Sequence, residues 1–239
     1  VIELLLVTTV PSMVISIYGM PPLSLVIYTL AGGTLLAISA NVMNQVLEVE
    51  TDKLMERTSD RPIVTGDLTK TNGIIYSISS GLIGFLILYF LVTPLSSFIG
   101  LAANIFYVFI YTLILKPRTN QNIVIGGASG AAPVLIGWTA TGSELETGPW
   151  VLFLLVFMWT PAHFWALSIE NKADYKNAEF PMLPIQESYK RTCIFIGIYS
   201  CSTVLISLVA APILQLGIIY LFVSIFFGVN LMYKAFNFP

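Results

Sequence analysis

Charge is scarce in this sequence. Asp, Glu, Lys and Arg make up 10% of its 239 residues, where a soluble globular domain carries about 25%. With 56% hydrophobic residues and a mean hydropathy of +0.84, the scarcity excludes an ordinary water-soluble domain and puts the chain in the membrane class. Histidine is scarcer still. The one present, His163, cannot form a zinc site without further ligands. The two cysteines, Cys193 and Cys201, lie eight apart in one apolar run, which reads as packing rather than a disulfide or metal pair. The glycine-rich GGASG lies inside an apolar run and lacks the GK[ST] ending of a nucleotide loop. Net charge is −2, which says less than where the charges fall. No nucleic-acid partner is expected.

Long apolar runs are what the sequence does have. A helix needs about 20 mostly apolar residues to cross the hydrocarbon core. Eight runs qualify: 1–19, 22–47, 73–92, 95–115, 121–140, 149–169, 192–212 and 214–234. Gly19-Met20-Pro21-Pro22 and Thr93-Pro94 are turns between them, with Pro at a helix start. Backbone groups in lipid must be satisfied internally, and the alternation of a β-barrel is missing, so the runs are helices. The expected class is an all-α, polytopic membrane protein with one integral-membrane domain over 1–239. Val1 already lies in an apolar run and Pro239 soon follows another, so the chain reads as truncated at both ends.

All 11 Lys and Arg fall in alternate connections. Lys53, Arg57, Arg61 and Lys70 lie between spans two and three, and Lys116 and Arg118 between four and five. Lys172, Lys176, Lys190 and Arg191 lie between six and seven, and Lys234 follows span eight. The opposite connections hold only Glu144 and Glu146. The positive-inside rule makes the basic side cytoplasmic, in a multi-pass protein of the cell membrane.

The cytoplasmic connections carry the chemistry. In NQVLEVETDKLMERTSDRP, Asn44, Glu48 and Asp52 are spaced by four, which puts them on one helix face as a stripe about 12 Å long. An amide oxygen and two carboxylates suit Mg2+, which binds through one or two carboxylates plus substrate phosphates. Glu50 and Glu56 point to other faces. Arg57 and Arg61 follow, again four apart, and a guanidinium fork matches phosphate. Taken alone, this cluster also reads as a solvated loop with internal ion pairs, the default for exposed charges.

A second cluster, HFWALSIENKADYKNAEFPMLP, holds Glu170 and Asp174 four apart, then Tyr175 and Lys176. Two acidic clusters with basic partners on one membrane face suit a diphosphate held through metal ions. Lys116 and Arg118, in the third connection, extend that anion site, and Gln121 and Asn122 open the next helix. Gly126, Gly127 and Gly130 there serve close helix packing. His163 lies within span six, where an ionisable group leans toward function. It reads either as a hydrogen-bonded packing residue or as a contact to a porphyrin iron or carboxylate. Trp159, Phe164 and Trp165 either line a pocket for a flat ligand or face lipid. A transporter would carry its ionisable groups near the midplane. A purely structural subunit would use these clusters as topology signals alone.

Across essentially its whole length the chain resembles the UbiA family of intramembrane prenyltransferases, and within it the haem-directed branch. The motifs are VIELLLVTTVP at Val1–Pro11, SANVMNQ at Ser39–Gln45, MERTSDRP at Met55–Pro62 and QNIVIGGASGAAPVLIGW at Gln121–Trp138. HFWAL at His163–Leu167, Asp174-Tyr175 and PMLP at Pro181–Pro184 complete them. The resemblance implies a nine-helix bundle around a central cavity, closed on the cytoplasmic side by the acid-bearing loops. One helix and a short basic N-terminal segment are missing here. It puts the family's N-x-x-x-D-x-x-x-D motif on Asn44, Glu48 and Asp52, with Glu in the middle position, and the second motif on Asp174 and Tyr175. It implies Mg2+ on Asn44, Glu48, Asp52 and Asp174. Farnesyl diphosphate is then met by Arg57, Arg61, Lys116, Arg118, Tyr175 and Lys176, with His163 and Trp165 as haem-binding candidates. The implied reaction farnesylates a vinyl group of haem B to give haem O. A terminal oxidase uses the product directly or after a haem A synthase. The alternative acceptor within the family is a quinone-precursor aromatic acid.

Overall fold

A computed structural model describes the backbone of residues 2–236 and the side chains of residues 7–236. Eight long helices follow the apolar runs: α1 (Ile2–Ser16), α2 (Leu23–Leu47), α3 (Lys70–Leu91), α4 (Pro94–Leu115), α5 (Asn122–Ala140), α6 (Thr147–Glu170), α7 (Tyr189–Ile213) and α8 (Ile218–Phe236). Short helical turns occupy the connections after α2 and α6. No strand occurs among the described residues.

Among the described residues seven helices, α2 to α8, are long and apolar enough to cross a membrane, whereas α1 has 15 residues. The expected first span, 1–19, is therefore shortened; Val1 lies outside the described residues. Tyr18 adopts a left-handed φ of 50°. Its N–H donates to Ile15 O, and that of Gly19 donates to Val14 O, a Schellman-type end that stops the helix after Ser16. The break before α8 is made the same way. Gln215 has φ 50° and Leu216 N–H donates to Ala211 O, so α8 begins at Ile218 rather than 214.

Side-chain caps set three of the helix starts. Thr93 accepts from Ser96 N–H with Pro94 in the first turn, as expected. Thr69 and Ser188 accept from Asn72 and Arg191 N–H, so α3 and α7 each start three residues earlier than hydropathy predicts.

From α2 onward each helix packs on its neighbour in sequence, while α1 lies against α5. Helix α5 is the hub, touching α1, α2, α4 and α6. In its apolar window 67% of residues are buried, against 11–33% in the other spanning helices. Small residues make this possible, because helices in lipid associate by close packing and interhelical hydrogen bonds. At Gly137 a Cβ would meet the Thr9 backbone of α1. Ser12 Oγ donates to Val134 O at 2.6 Å and Thr9 Oγ1 to Pro133 O at 3.4 Å, bonds worth about 0.6 kcal/mol each in a bilayer. Gly126 lies under the Tyr111 ring and Gly127 against Thr160, as the packing expectation requires. Gly130 has open space beside it and does not meet that expectation.

The last ten residues of α4, Phe106–Leu115, form a π-helix. Lys116 N–H donates to Tyr111 O, and Thr112 Oγ1 donates to Tyr107 O, both across five residues. Nothing in the plain apolar run FYVFIYTLIL announces this widening. Such segments occur mostly at functional sites, and this one ends beside the buried acids.

Candidate active site

The acidic stripe forms across a kink. Helix α2 ends at Leu47, Glu48 takes φ −103°, ψ 15°, and one further helical turn runs Val49–Asp52. Hydrogen bonds from Glu48 N–H to Asn44 O (2.9 Å) and from Asp52 N–H to Glu48 O (2.8 Å) keep the three residues in register. All three are buried. They are a lined interior face rather than a solvated loop. Glu50, by contrast, is exposed and pairs with Lys53 and Lys70. Lys53 donates to the Glu50 carboxyl and holds its pKa below the usual value of 4.5.

Each member of the stripe has a partner from elsewhere. Asn44 Nδ2 donates to Thr112 Oγ1 at 3.2 Å. Lys116 Nζ donates to Glu48 Oε2 at 2.5 Å, and Arg61 Nη1 to Asp52 Oδ2 at 2.6 Å. Glu48 Oε1 is buried with no hydrogen-bond partner among the described residues. The π-helix delivers both Thr112 and Lys116 to this face, and with them Tyr107 and Tyr111, whose rings lie 5.2 Å apart. Tyr107 is within electrostatic reach of Glu48, Asp52 and Arg61. Thr112, Tyr107 and Tyr111 escaped the sequence reading. Its only signal was the four-residue spacing from Thr112 to Lys116.

Asp174 holds the two acid-bearing loops together. Its Oδ1 and Oδ2 accept from the backbone N–H groups of Glu56 and Arg57, both at 3.2 Å, capping the short helix Glu56–Thr58. Arg57 lies 6.0 Å from the centroid of the Tyr175 ring. Beneath, Met55, Ile123, Ala178, Phe180 and Met182 form an apolar pad flanked by Tyr111 and Tyr175. Asn122, fully buried, donates to Lys116 O and to Met182 Sδ. Three connections at the basic end of the bundle thus meet over the stripe.

Other predicted residues stand apart. Glu170 ends α6 and is exposed; Asn171 breaks the helix there, so Glu170 and Asp174 do not share a face. Arg118 and Lys176 are exposed and form no salt bridge among the described residues. His163 stacks on Trp159 at 4.4 Å with Phe164 edge-on. Trp165, two residues on, is 1% exposed and packs on Phe195 and Tyr199 of α7. Its ring sits between α6 and α7 rather than on the His163 face.

Residues 5–238 match the UbiA prenyltransferase family. The chain belongs to that family. Among curated relatives, the protoheme IX farnesyltransferase of Cutibacterium acnes is 44% identical over 98% of this chain and 70% of its own length. That of Streptomyces coelicolor is 42% identical over 98% of this chain and 75% of its own. Among solved structures, an apo UbiA homologue from Aeropyrum pernix superposes with a TM-score of 0.82 at 16% identity, covering 98% of this chain and 86% of that one. A UbiA homologue from Archaeoglobus fulgidus bound to DMAPP and Mg2+ gives 0.78 at 16% identity, over 98% of this chain and 83% of that one. The fold is that of UbiA prenyltransferases.

The UbiA chain's own donors fit Mg2+. Asn44 commits its nitrogen to Thr112 and so offers oxygen, Glu48 and Asp52 offer carboxylates, and Glu48 Oε1 has no other partner. Among the described residues no three of His, Cys, Asp and Glu form a cage. A cage is not needed by an ion that keeps waters and is completed by substrate phosphates.

Proposed function

We propose that this chain transfers the farnesyl group of farnesyl diphosphate to a vinyl group of protoheme IX (haem B), giving haem O. The observation that carries the reading is the buried Asn44–Glu48–Asp52 stripe facing Lys116 and Arg61, in a chain so close to protoheme IX farnesyltransferases. All 11 basic residues lie at the end of the bundle where the stripe opens. That end faces the cytoplasm of the cell membrane by the positive-inside rule. A terminal oxidase, with or without a haem A synthase before it, takes the product.

Asn44, Glu48 and Asp52 would hold Mg2+, which would there supply positive charge to offset that of the leaving diphosphate. Arg61 and Lys116 contact phosphate oxygens from within, and Arg57, Arg118, Tyr175 and Lys176 from the rim. Asp174 aims the Arg57 turn at the diphosphate. The apolar bundle takes the farnesyl chain and keeps water from it. The bond between farnesyl C1 and oxygen breaks, its electron pair leaving with the diphosphate. The haem vinyl group supplies a π pair to C1, forming the new carbon–carbon bond. Water adds to the resulting cation beside the porphyrin ring and loses a proton, leaving the hydroxyl. No protein nucleophile takes part. His163, on the face it shares with Trp159, contacts the haem, and Trp165 packs behind.

Membranes containing the chain, given labelled farnesyl diphosphate with haem B or with an aromatic acid, test the reading. Label is expected in haem O. Label in the aromatic acid alone would move the chain to the quinone-directed members.

A further inference from the structure

Resting on the farnesyl diphosphate reading above, we infer that the two buried carboxylates exchange partners when the diphosphate arrives, so that metal and diphosphate bind as linked events. Glu48 and Asp52 are two negative charges in the bundle interior, and each already has a positive partner: Lys116 at 2.5 Å and Arg61 at 2.6 Å. The four groups sum to zero charge. A divalent cation reaching Glu48 Oε2 meets an ammonium at hydrogen-bond distance, and one reaching Asp52 Oδ2 meets a guanidinium. Without diphosphate, the metal must displace both from their carboxylates or share the site with two like charges.

The exposure of the partners shows which can move. The side chains of Lys116 and Arg61 are 15% and 27% exposed, while those of Glu48 and Asp52 are 7% and 3% exposed. The bases therefore sit outward of the acids, on the side a soluble diphosphate head approaches. A lysine ammonium is a point charge on a flexible stem, and an arginine fork matches phosphate oxygens bidentately. The Phe180 ring, 4.5 Å from Lys116 Nζ, steadies the ammonium without neutralising it. Glu48 Oε1, buried without a partner, marks the carboxylate as incompletely satisfied by Lys116 alone. Diphosphate draws both bases outward, and the freed oxygens of Glu48 and Asp52 take the metal. By linkage the metal tightens diphosphate binding by the same factor that diphosphate tightens the metal.

Binding of Mn2+, followed by electron paramagnetic resonance on the full chain in detergent, reads this without turnover. In the absence of any diphosphate, Lys116→Gln is expected to bind Mn2+ about fivefold or more tightly than the unsubstituted chain, the low end of typical couplings. Lys190→Gln removes the same charge from an exposed side chain outside the site and is expected to leave Mn2+ affinity within about twofold, because a distant surface charge is screened. Equal Mn2+ affinity in Lys116→Gln and the unsubstituted chain, or an equal gain in Lys190→Gln, overturns the exchange. If Lys116→Gln does not fold, the unsubstituted chain still decides. Inorganic pyrophosphate should raise its Mn2+ affinity about 5- to 150-fold after subtraction of the protein-free complex, and no increase overturns the proposal. Coupling without farnesylation of haem B would sink the acceptor assignment alone, and farnesylation without coupling would sink the exchange alone.

Discussion

Lys116 Nζ meets Glu48 Oε2 at 2.5 Å across 68 positions of sequence, tying the end of α4 to the end of α2. One side of this pair has a second support, the Phe180 ring, and the other has a bare buried oxygen. Replacing Glu48 by Ala leaves Lys116 largely buried without its counter-ion. Breaking a buried pair costs about 3–5 kcal/mol, and the partial exposure of Lys116 puts the loss at the lower end. Thermal unfolding in detergent should show it, with farnesyl transfer lost. Glu48→Asp keeps the charge and should retain turnover with a smaller loss of stability. An unchanged unfolding temperature for Glu48→Ala would contradict the pair.

Gly126→Ala drives a methyl into the Tyr111 ring. Overpacking of this kind costs about 1–3 kcal/mol, and the displaced ring should lower turnover as well. Gly130→Ala, which meets nothing within 4 Å, should be neutral or slightly stabilising. Unfolding temperatures of the two variants, measured side by side, separate packing from helix propensity.

Asp174→Ala frees the amides of Glu56 and Arg57. The loss of a cap is worth about 0.5–2 kcal/mol, confined to the loop. Hydrogen exchange at those two amides should quicken while the unfolding temperature of the bundle hardly moves. Asp174→Asn keeps one acceptor oxygen and should fall between. Unaltered exchange in the alanine variant would mean that the latch does not hold the loop in solution.

Trp165 and His163 should part company. Trp165→Ala empties a fully enclosed site between α6 and α7, for about 3–5 kcal/mol. His163→Ala removes a half-buried ring stacked on one side only and should spare stability while weakening haem B binding, read by optical titration. Equal haem affinity in His163→Ala and the unsubstituted chain would remove His163 from the acceptor site.

Glu50 provides a pH signature outside the bundle. Its folded pKa is lowered, first by the hydrogen bond from Lys53 and then by the charges of Lys53 and Lys70. The stabilising contribution is therefore present above the ordinary value of 4.5 and is lost as pH falls through the lowered one. A site-resolved NMR titration should give a midpoint below 4.5 that returns toward it in Lys53→Gln.

The helices were legible because apolar runs of span length admit little else in a bilayer, and the acidic stripe because a four-residue spacing survives even the kink at Glu48. Their ends were less so. Tyr18 and Gln215 stop α1 and α7 in a left-handed conformation that neither residue type advertises. Arg61 and Lys116 carry the charge of anion partners, but the pairing of Lys116 with Glu48 was hidden, since only the fold brings α4 beside α2, and that of Arg61 with Asp52 depends on the turns that fold the intervening loop back. Asp174 has acid chemistry in the sequence and a backbone-capping geometry in the structure. Nothing local to Asp174-Tyr175 signals the amides it meets 117 and 118 positions away.

The π-helix of α4 also sets a reading frame. A helix bonded across five residues behaves like an α-helix with residues inserted. Removing one residue from Phe106–Leu115 would change the hydrogen-bond register of the segment and with it the direction in which Lys116 leaves the helix. Lys116 would swing off Glu48 although every charged residue was still present. The run FYVFIYTLIL, which carries no charge, is therefore where a change of length would be least visible in the sequence and most damaging to the site.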